Sequence, residues 1–266
     1  MAVDISLEIV PRGAASIIED MNTCARYPGI TLINVPDLVR FTLRSWEACG
    51  ILLREQSLSG LRGIVPHLRA RDFSPDEPFP LTGFFREHRI TKALVITGDR
   101  KDGTGGSGEG SGPGGNSGGE LRLSVPFIKK LKFEMPELEI YAAFDPYRTN
   151  IRYELDYLAL KEEAGASGFM SQPFFDLRLL EIYSEYLENK RIFWGITPVL
   201  SSGSRGYWES RNRTIFPKSF RADMFWNINF GRQVLDFCGK NNFSVYLMPV
   251  RVDLAEYLSG LFTSSR

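Results

Sequence analysis

Eight short β-branched or apolar runs, each followed by a longer amphipathic stretch, fall within 266 residues. That alternation predicts an α/β chain folded as a (β/α)8 TIM barrel, because eight βα units in about 250 residues are what such a cylinder requires. The first strand-to-helix turn, VPRGAAS, supports the choice, since it lacks the glycine fingerprint of a doubly wound dinucleotide fold. Periodicity alone leaves the open sheet as the alternative.

In chain order, the strands are expected at Ile5–Val10, Thr31–Val35, Gly63–Leu68, Ala93–Thr97, Glu139–Ala143, Gly168–Gln172, Phe193–Pro198 and Phe243–Met248. Helices are expected near 14–26, 37–49, 76–87, 122–133, 150–164, 176–189, 219–239 and 252–262. The clearest is IRYELDYLALKEEAG, where Leu155, Leu158 and Ala159 share a face, charges cover the other, and Gly165 closes the C-terminus. The whole chain, 1–266, is expected to be one catalytic barrel domain. Its exception is 103–119, GTGGSGEGSGPGGNSGG, which cannot bury enough apolar area to offset its ordering entropy and is expected to be a flexible loop. The G-x-G-x-x-G at Gly103, Gly105 and Gly108 is discounted because more glycines follow it, not a helix.

Composition narrows the function. Acidic and basic residues balance at 32 each, against general nucleic-acid binding, and no apolar run is long enough to span a membrane. MAVDISLEIVPRG has no basic region before an apolar stretch, so it does not read as a signal peptide. Cys24, Cys49 and Cys238 are odd in number and lie at no ligand spacing, consistent with reduced thiols in a cytoplasmic protein. There is no G-x-S-x-G, H-E-x-x-H or phosphate-binding P-loop.

In a barrel, chemistry sits at the C-terminal ends of the strands. There the sequence places Glu8, His67, Asp99, Asp145 with Tyr147 and Arg148, Gln172, and Ser201 with Ser202. Strand alternation puts Glu8 with Ser6, opposite Leu7 and Ile9, hence inward. A carboxyl desolvated there could be a general acid near neutrality, or it could be a carboxylate paired with Arg12 or Arg69. Gln172 could offer a donor and acceptor to a planar heterocycle, or be a structural amide. Asp99 could be a turn or cap residue, and His67 a satisfied core histidine.

Taken in order, these motifs resemble the methylenetetrahydrofolate reductase family. Tyr153 to Asp176, YELDYLALKEEAGASGFMSQPFFD, looks like the family's D-L-x-x-L-K-x-K helix, D-A-G-A-D and I-T-Q-x-F-F-D. SLEIVPR, Val65–Leu68, Thr97-Gly98-Asp99 and GITPV resemble further pieces in the right order. The resemblance implies a barrel carrying FAD that uses NADH or NADPH to reduce 5,10-methylenetetrahydrofolate to 5-methyltetrahydrofolate. It assigns Glu8 as the general acid, Asp99 beside the flavin and folate rings, and Gln172 to the folate. His67, Gly98, Ala143, Phe144, Glu154 and Lys161 fall at flavin-contact positions. Departures are Thr97 for the family's arginine, Arg148 for its histidine (a guanidinium that could pair a pyrophosphate), Pro36 for its threonine, and Ser202 for an aromatic. Some relatives lack flavin or work with electron-transfer partner subunits. The readings therefore include a flavin-independent or partner-dependent reductase and a non-catalytic pterin- or flavin-binding subunit, with a homo-oligomer among the possible states.

Overall fold

The computed structural model describes residues 4–54, 60–98 and 123–262. Eight strands lie in sequence order in a closed parallel barrel: β1 (Ile5–Glu8), β2 (Ile30–Val35), β3 (Gly63–Arg69), β4 (Lys92–Ile96), β5 (Glu139–Phe144), β6 (Gly168–Pro173), β7 (Ile192–Ile196) and β8 (Ser244–Leu247). Closure comes from β1 pairing with both β2 and β8, which leaves no open edge. The described helices are α1 (Ala14–Cys24), α2 (Ser45–Arg54), α3 (Thr82–Glu87), α4 (Ser124–Glu134), α5 (Ile151–Glu163), α6 (Leu177–Tyr186), α7 (Ser202–Asn212), α8 (Met224–Asn241) and α9 (Leu254–Phe262).

The two faces of each strand make two cores. Leu7, Ile9, Ile33, Val35 and their equivalents pack outward against the helices. Leu32, Val65, Leu94, Tyr141, Met170, Phe193, Tyr246 and Met248 fill the cylinder itself. Strand alternation on a closed barrel dictates this split. It also carries Ser6, Asn34 and His67 into the interior as buried polar residues. At the N-terminal end, Asp4 accepts from Thr31 at 3.0 Å and Arg62 at 2.8 Å, while Glu139 pairs with Lys92 and with Arg191. The end opposite the strand C-termini is thus closed by charge pairs.

Helix boundaries depart furthest from the pattern in three places. The helix expected at 37–49 starts at Ser45, because Asp37 is spent holding Arg44 at 2.9 Å and Glu47 reaches back to the Arg44 backbone N–H, a capping-box contact that fixes the start there. The one expected at 76–87 shrinks to Thr82–Glu87, since Pro78 and Pro80 supply no helical N–H. Helix α7 was not expected at all. It is polar overall and buries no residue, and it begins where Ser201 accepts from the Ser204 N–H at 3.1 Å. The end of α5 follows the expected pattern: Gly165, at φ 113°, allows its own N–H to reach Glu162 and that of Ala166 to reach Lys161, a Schellman closure. The Gly-rich run at 103–119 lies outside the described residues.

Candidate active site

Glu8 ends β1, and its carboxyl is turned into the barrel, where the Tyr246 hydroxyl of β8 donates to Oε2. Burial raises its pKa from 4.5 to about 7, and the Tyr246 hydrogen bond opposes that rise. The arginine partners considered from sequence are engaged elsewhere: Arg12 pairs with Asp20 at 3.6 Å and Arg69 with Asp72 at 3.6 Å. Among the described residues no countercharge pairs with Glu8, so burial favours its protonated form, the condition a general acid needs.

A chain of polar groups lies behind it. Asn34 of β2, aligned with Glu8 in the β1–β2 register, donates to Ser6 Oγ. Its Oδ1 lies 3.3 Å from His67 Nε2, and that nitrogen lies 3.5 Å from the Tyr246 hydroxyl. Ser45 Oγ donates to the His67 carbonyl at 2.7 Å, which pins β3 to the start of α2. Burial pushes the His67 pKa down to about 3, so the ring is neutral at physiological pH. The structure thus groups His67 with Glu8. Tyr246, Asn34 and Ser6 escape a reading based on strand ends, because Ser6 lies inside its strand and tyrosine and asparagine carry no motif. The signal that could have found them is alternation, which places each on the inner face.

Gln172, half-buried near the end of β6, sits where the β6–β7 register shifts between Met170 and Pro173. Ser171 Oγ spans that irregularity, accepting from the Gly195 N–H at 2.7 Å and donating to the Gln172 carbonyl at 2.8 Å. Gly98 follows β4 with φ 84°, and a Cβ there would stand 2.8 Å from Arg69 Nε, so only glycine fits. Asp99 lies outside the described residues. Ser201 is the α7 cap, and Tyr147 donates to the Pro173 carbonyl at 2.9 Å.

The flavin-contact positions at β5 and α5 are taken up by the chain itself. Lys161, 4% exposed, donates its ammonium to the Ala143 carbonyl at 2.5 Å and lies 3.9 Å from the Tyr157 ring centroid. Burial lowers its pKa to about 8, with the Glu154 charge opposing that fall. Buried Glu154 accepts from the Asp145 N–H at 3.1 Å, and burial raises its pKa. Arg148 is held by Asp145 at 3.3 Å. Phe144 points into the outer core against Tyr183 and Trp194, away from the cylinder. A dinucleotide needs accessible donors for its phosphates. Here the Lys161 ammonium, at a flavin-contact position, is buried and spent on a carbonyl, so it does not fit the phosphate end of FAD.

All three cysteines are free and buried, with thiol pKa values raised by burial. Among the described residues, no cluster of three or more His, Cys, Asp or Glu side chains has the geometry of a metal site, and no helix is long and apolar enough to cross a membrane.

An eight-stranded parallel barrel with a polar chain leading to a protonatable carboxyl at the strand C-termini defines the class of this protein. No protein-family model and no curated protein matches the sequence. Solved structures match its fold. One is a protein from Clostridium thermocellum that binds two copies of 5-methyl-5,6,7,8-tetrahydrofolic acid, with a TM-score of 0.59 and 15% identity over 98% of this chain and 93% of that one. Another is 2,3-dimethylmalate lyase of the PEP mutase/isocitrate lyase superfamily, with a TM-score of 0.58 and 7% identity over 98% of this chain and 78% of that one. A third is a Toxoplasma gondii ME49 protein assigned as a candidate deoxyribose-phosphate aldolase, with a TM-score of 0.52 and 10% identity over 98% and 94%. At these identities the likeness is one of fold.

Proposed function

We propose that this protein binds a reduced folate at the C-terminal mouth of the barrel and reduces its methylene bridge, with Glu8 as the general acid. The observation that carries the reading is the Glu8 carboxyl turned into the barrel and held by the Tyr246 hydroxyl, where burial raises its pKa to about 7. Opening the five-membered ring of 5,10-methylenetetrahydrofolate requires a proton on the departing ring nitrogen. That step leaves an exocyclic iminium carbon, and hydride addition to it completes the methyl group. A carboxyl of neutral pKa supplies the proton, which a lysine at its ordinary pKa would withhold and an ordinary glutamate would already have lost. Gln172 and Asp99 are the residues proposed to hold the pterin ring. The folate-binding Clostridium thermocellum barrel, which matches nearly the whole of both chains, supports the ligand class.

The hydride donor in this reading is a reduced nicotinamide, NADH or NADPH, acting on the folate directly. The engagement of Lys161, Glu154 and Phe144 within the protein favours that route over one through FAD. The test is methylenetetrahydrofolate-dependent NADH oxidation by the purified chain, with its absorbance recorded beforehand. A colourless protein that turns over, and whose Glu8→Gln variant loses at least about 100-fold in rate as removal of a general acid predicts, is the expected result. A yellow protein releasing FAD would restore the flavin route. Full folate activity in Glu8→Gln would remove the proposed acid, and absence of folate binding would end the reading.

A further inference from the structure

The interior polar chain has a direction that can be worked out atom by atom. Asn34 gives its Nδ2–H to Ser6 Oγ, so the end of the amide facing His67 is the carbonyl oxygen. An acceptor 3.3 Å from His67 Nε2 requires that nitrogen to carry a hydrogen. The ring is buried and neutral, so Nδ1 is bare and Nε2 is not an acceptor. The Tyr246 hydroxyl lies 3.5 Å from that same N–H. It cannot donate there, and among the described residues its hydrogen goes to Glu8 Oε2.

We propose that Tyr246 is a positioning residue for Glu8: it commits one carboxyl oxygen to a standing hydrogen bond, leaves the other oxygen to carry the titrating proton, and has its own direction fixed by the buried chain Ser6–Asn34–His67. The proposal rests on the reading of Glu8 as the acid and adds how that acid is oriented. A carboxyl free to rotate would share its proton between both oxygens and between two directions. One bound at Oε2 presents a single protonated oxygen in one geometry, which is what proton transfer to a fixed ring nitrogen demands. The surroundings allow Tyr246 this control. Glu8 is faced by Tyr246 from β8, with His67 of β3 behind it, while Asn34 and Ser6 on β2 and β1 are uncharged. Among the described residues no ammonium or guanidinium is paired with Glu8.

The test reads the carboxyl directly in the full-length protein without substrate. In pH-difference infrared spectra, the protonated Glu8 band is the one that Glu8→Gln removes. In Tyr246→Phe its midpoint is expected to rise by about one pH unit, a tenfold change in acidity, because a donor to the ionised form has gone. Fluorotyrosine at position 246 keeps the shape and donates more strongly, so there the midpoint is expected to fall. That opposite displacement cannot arise from loosened packing, and it remains measurable if Tyr246→Phe does not fold. The protein has two histidines, His67 and His88, so selective ¹⁵N labelling resolves the His67 tautomer, expected as Nε2–H throughout pH 5–9. A midpoint indifferent to both changes at position 246, or a His67 proton on Nδ1, overturns the proposal and leaves the folate reading intact. Failure of folate turnover with both spectroscopic results in place sinks the folate reading alone.

Discussion

Replacing Glu8 by Gln gives a stability change whose size and pH dependence both follow from where the carboxyl sits. Glutamine keeps an oxygen to accept from Tyr246 and removes only the ionisation. In the wild-type protein burial raises the folded pKa to about 7, above the ordinary carboxyl value of 4.5. The folded state therefore holds the Glu8 proton where the unfolded chain has released it. With the folded value raised, the stability Glu8 contributes is fully present below pH 4.5 and is lost as pH rises through 7. A gap of about 2.5 pH units corresponds to about 3 kcal/mol at 1.36 kcal/mol each. Glutamine has no such dependence. Relative to wild type, Glu8→Gln should gain about 3 kcal/mol between pH 4 and pH 8.5, with most of the change between pH 5 and 7. Urea unfolding of both proteins across that range measures it, and comparing them at each pH cancels every other titrating group. A difference that stays flat from pH 4 to 8.5 would refute the burial argument, because a carboxyl ionised at its ordinary pKa gives no slope in that window.

Two further substitutions probe the frame that holds the site. Ser171→Ala removes the hydroxyl that accepts from the buried Gly195 N–H at 2.7 Å, and is expected to cost about 1–3 kcal/mol in chemical denaturation, the penalty of an unsatisfied buried donor. An unchanged unfolding midpoint would show that the β6–β7 irregularity does not depend on it. Gly195→Ala places a Cβ 2.5 Å from the Ser171 backbone oxygen and 2.7 Å from the Met248 methyl. Backbone cannot yield as a flexible side chain does, so a loss of about 2–3 kcal/mol is expected from overpacking, read as a lowered Tm.

The resemblance to a folate reductase assigns residues singly, and the structure sorts them by what they touch. Glu8 and His67 belong to one interior chain, with Tyr246 between them. Glu154, Lys161, Ala143 and Arg148 form a second group outside that chain, knit together through Asp145 and the β5 backbone. That division leaves one flavin-contact position, His67, beside the acid and sets those of β5 and α5 apart from it, with their charged groups engaged by the chain itself.

The sequence by itself set eight strand–helix units, favouring the barrel over an open sheet, and the inward face of Glu8. Eight apolar runs set the strands, and the period of two that places Leu7 and Ile9 in the outer core leaves Glu8 on the inner face, a local rule that holds wherever a strand is buried on both sides. Helix α7 was not legible, since the segment is polar overall and buries no residue in the core. The start of α2 was hidden too, because it depends on Arg44 being drawn into a pair with Asp37. What only the tertiary structure decided is the company Glu8 keeps. Tyr246 lies 238 residues away in sequence and becomes its neighbour because β8 closes on β1. Contacts across the closure of a barrel are set by shear and register, and no local pattern encodes them.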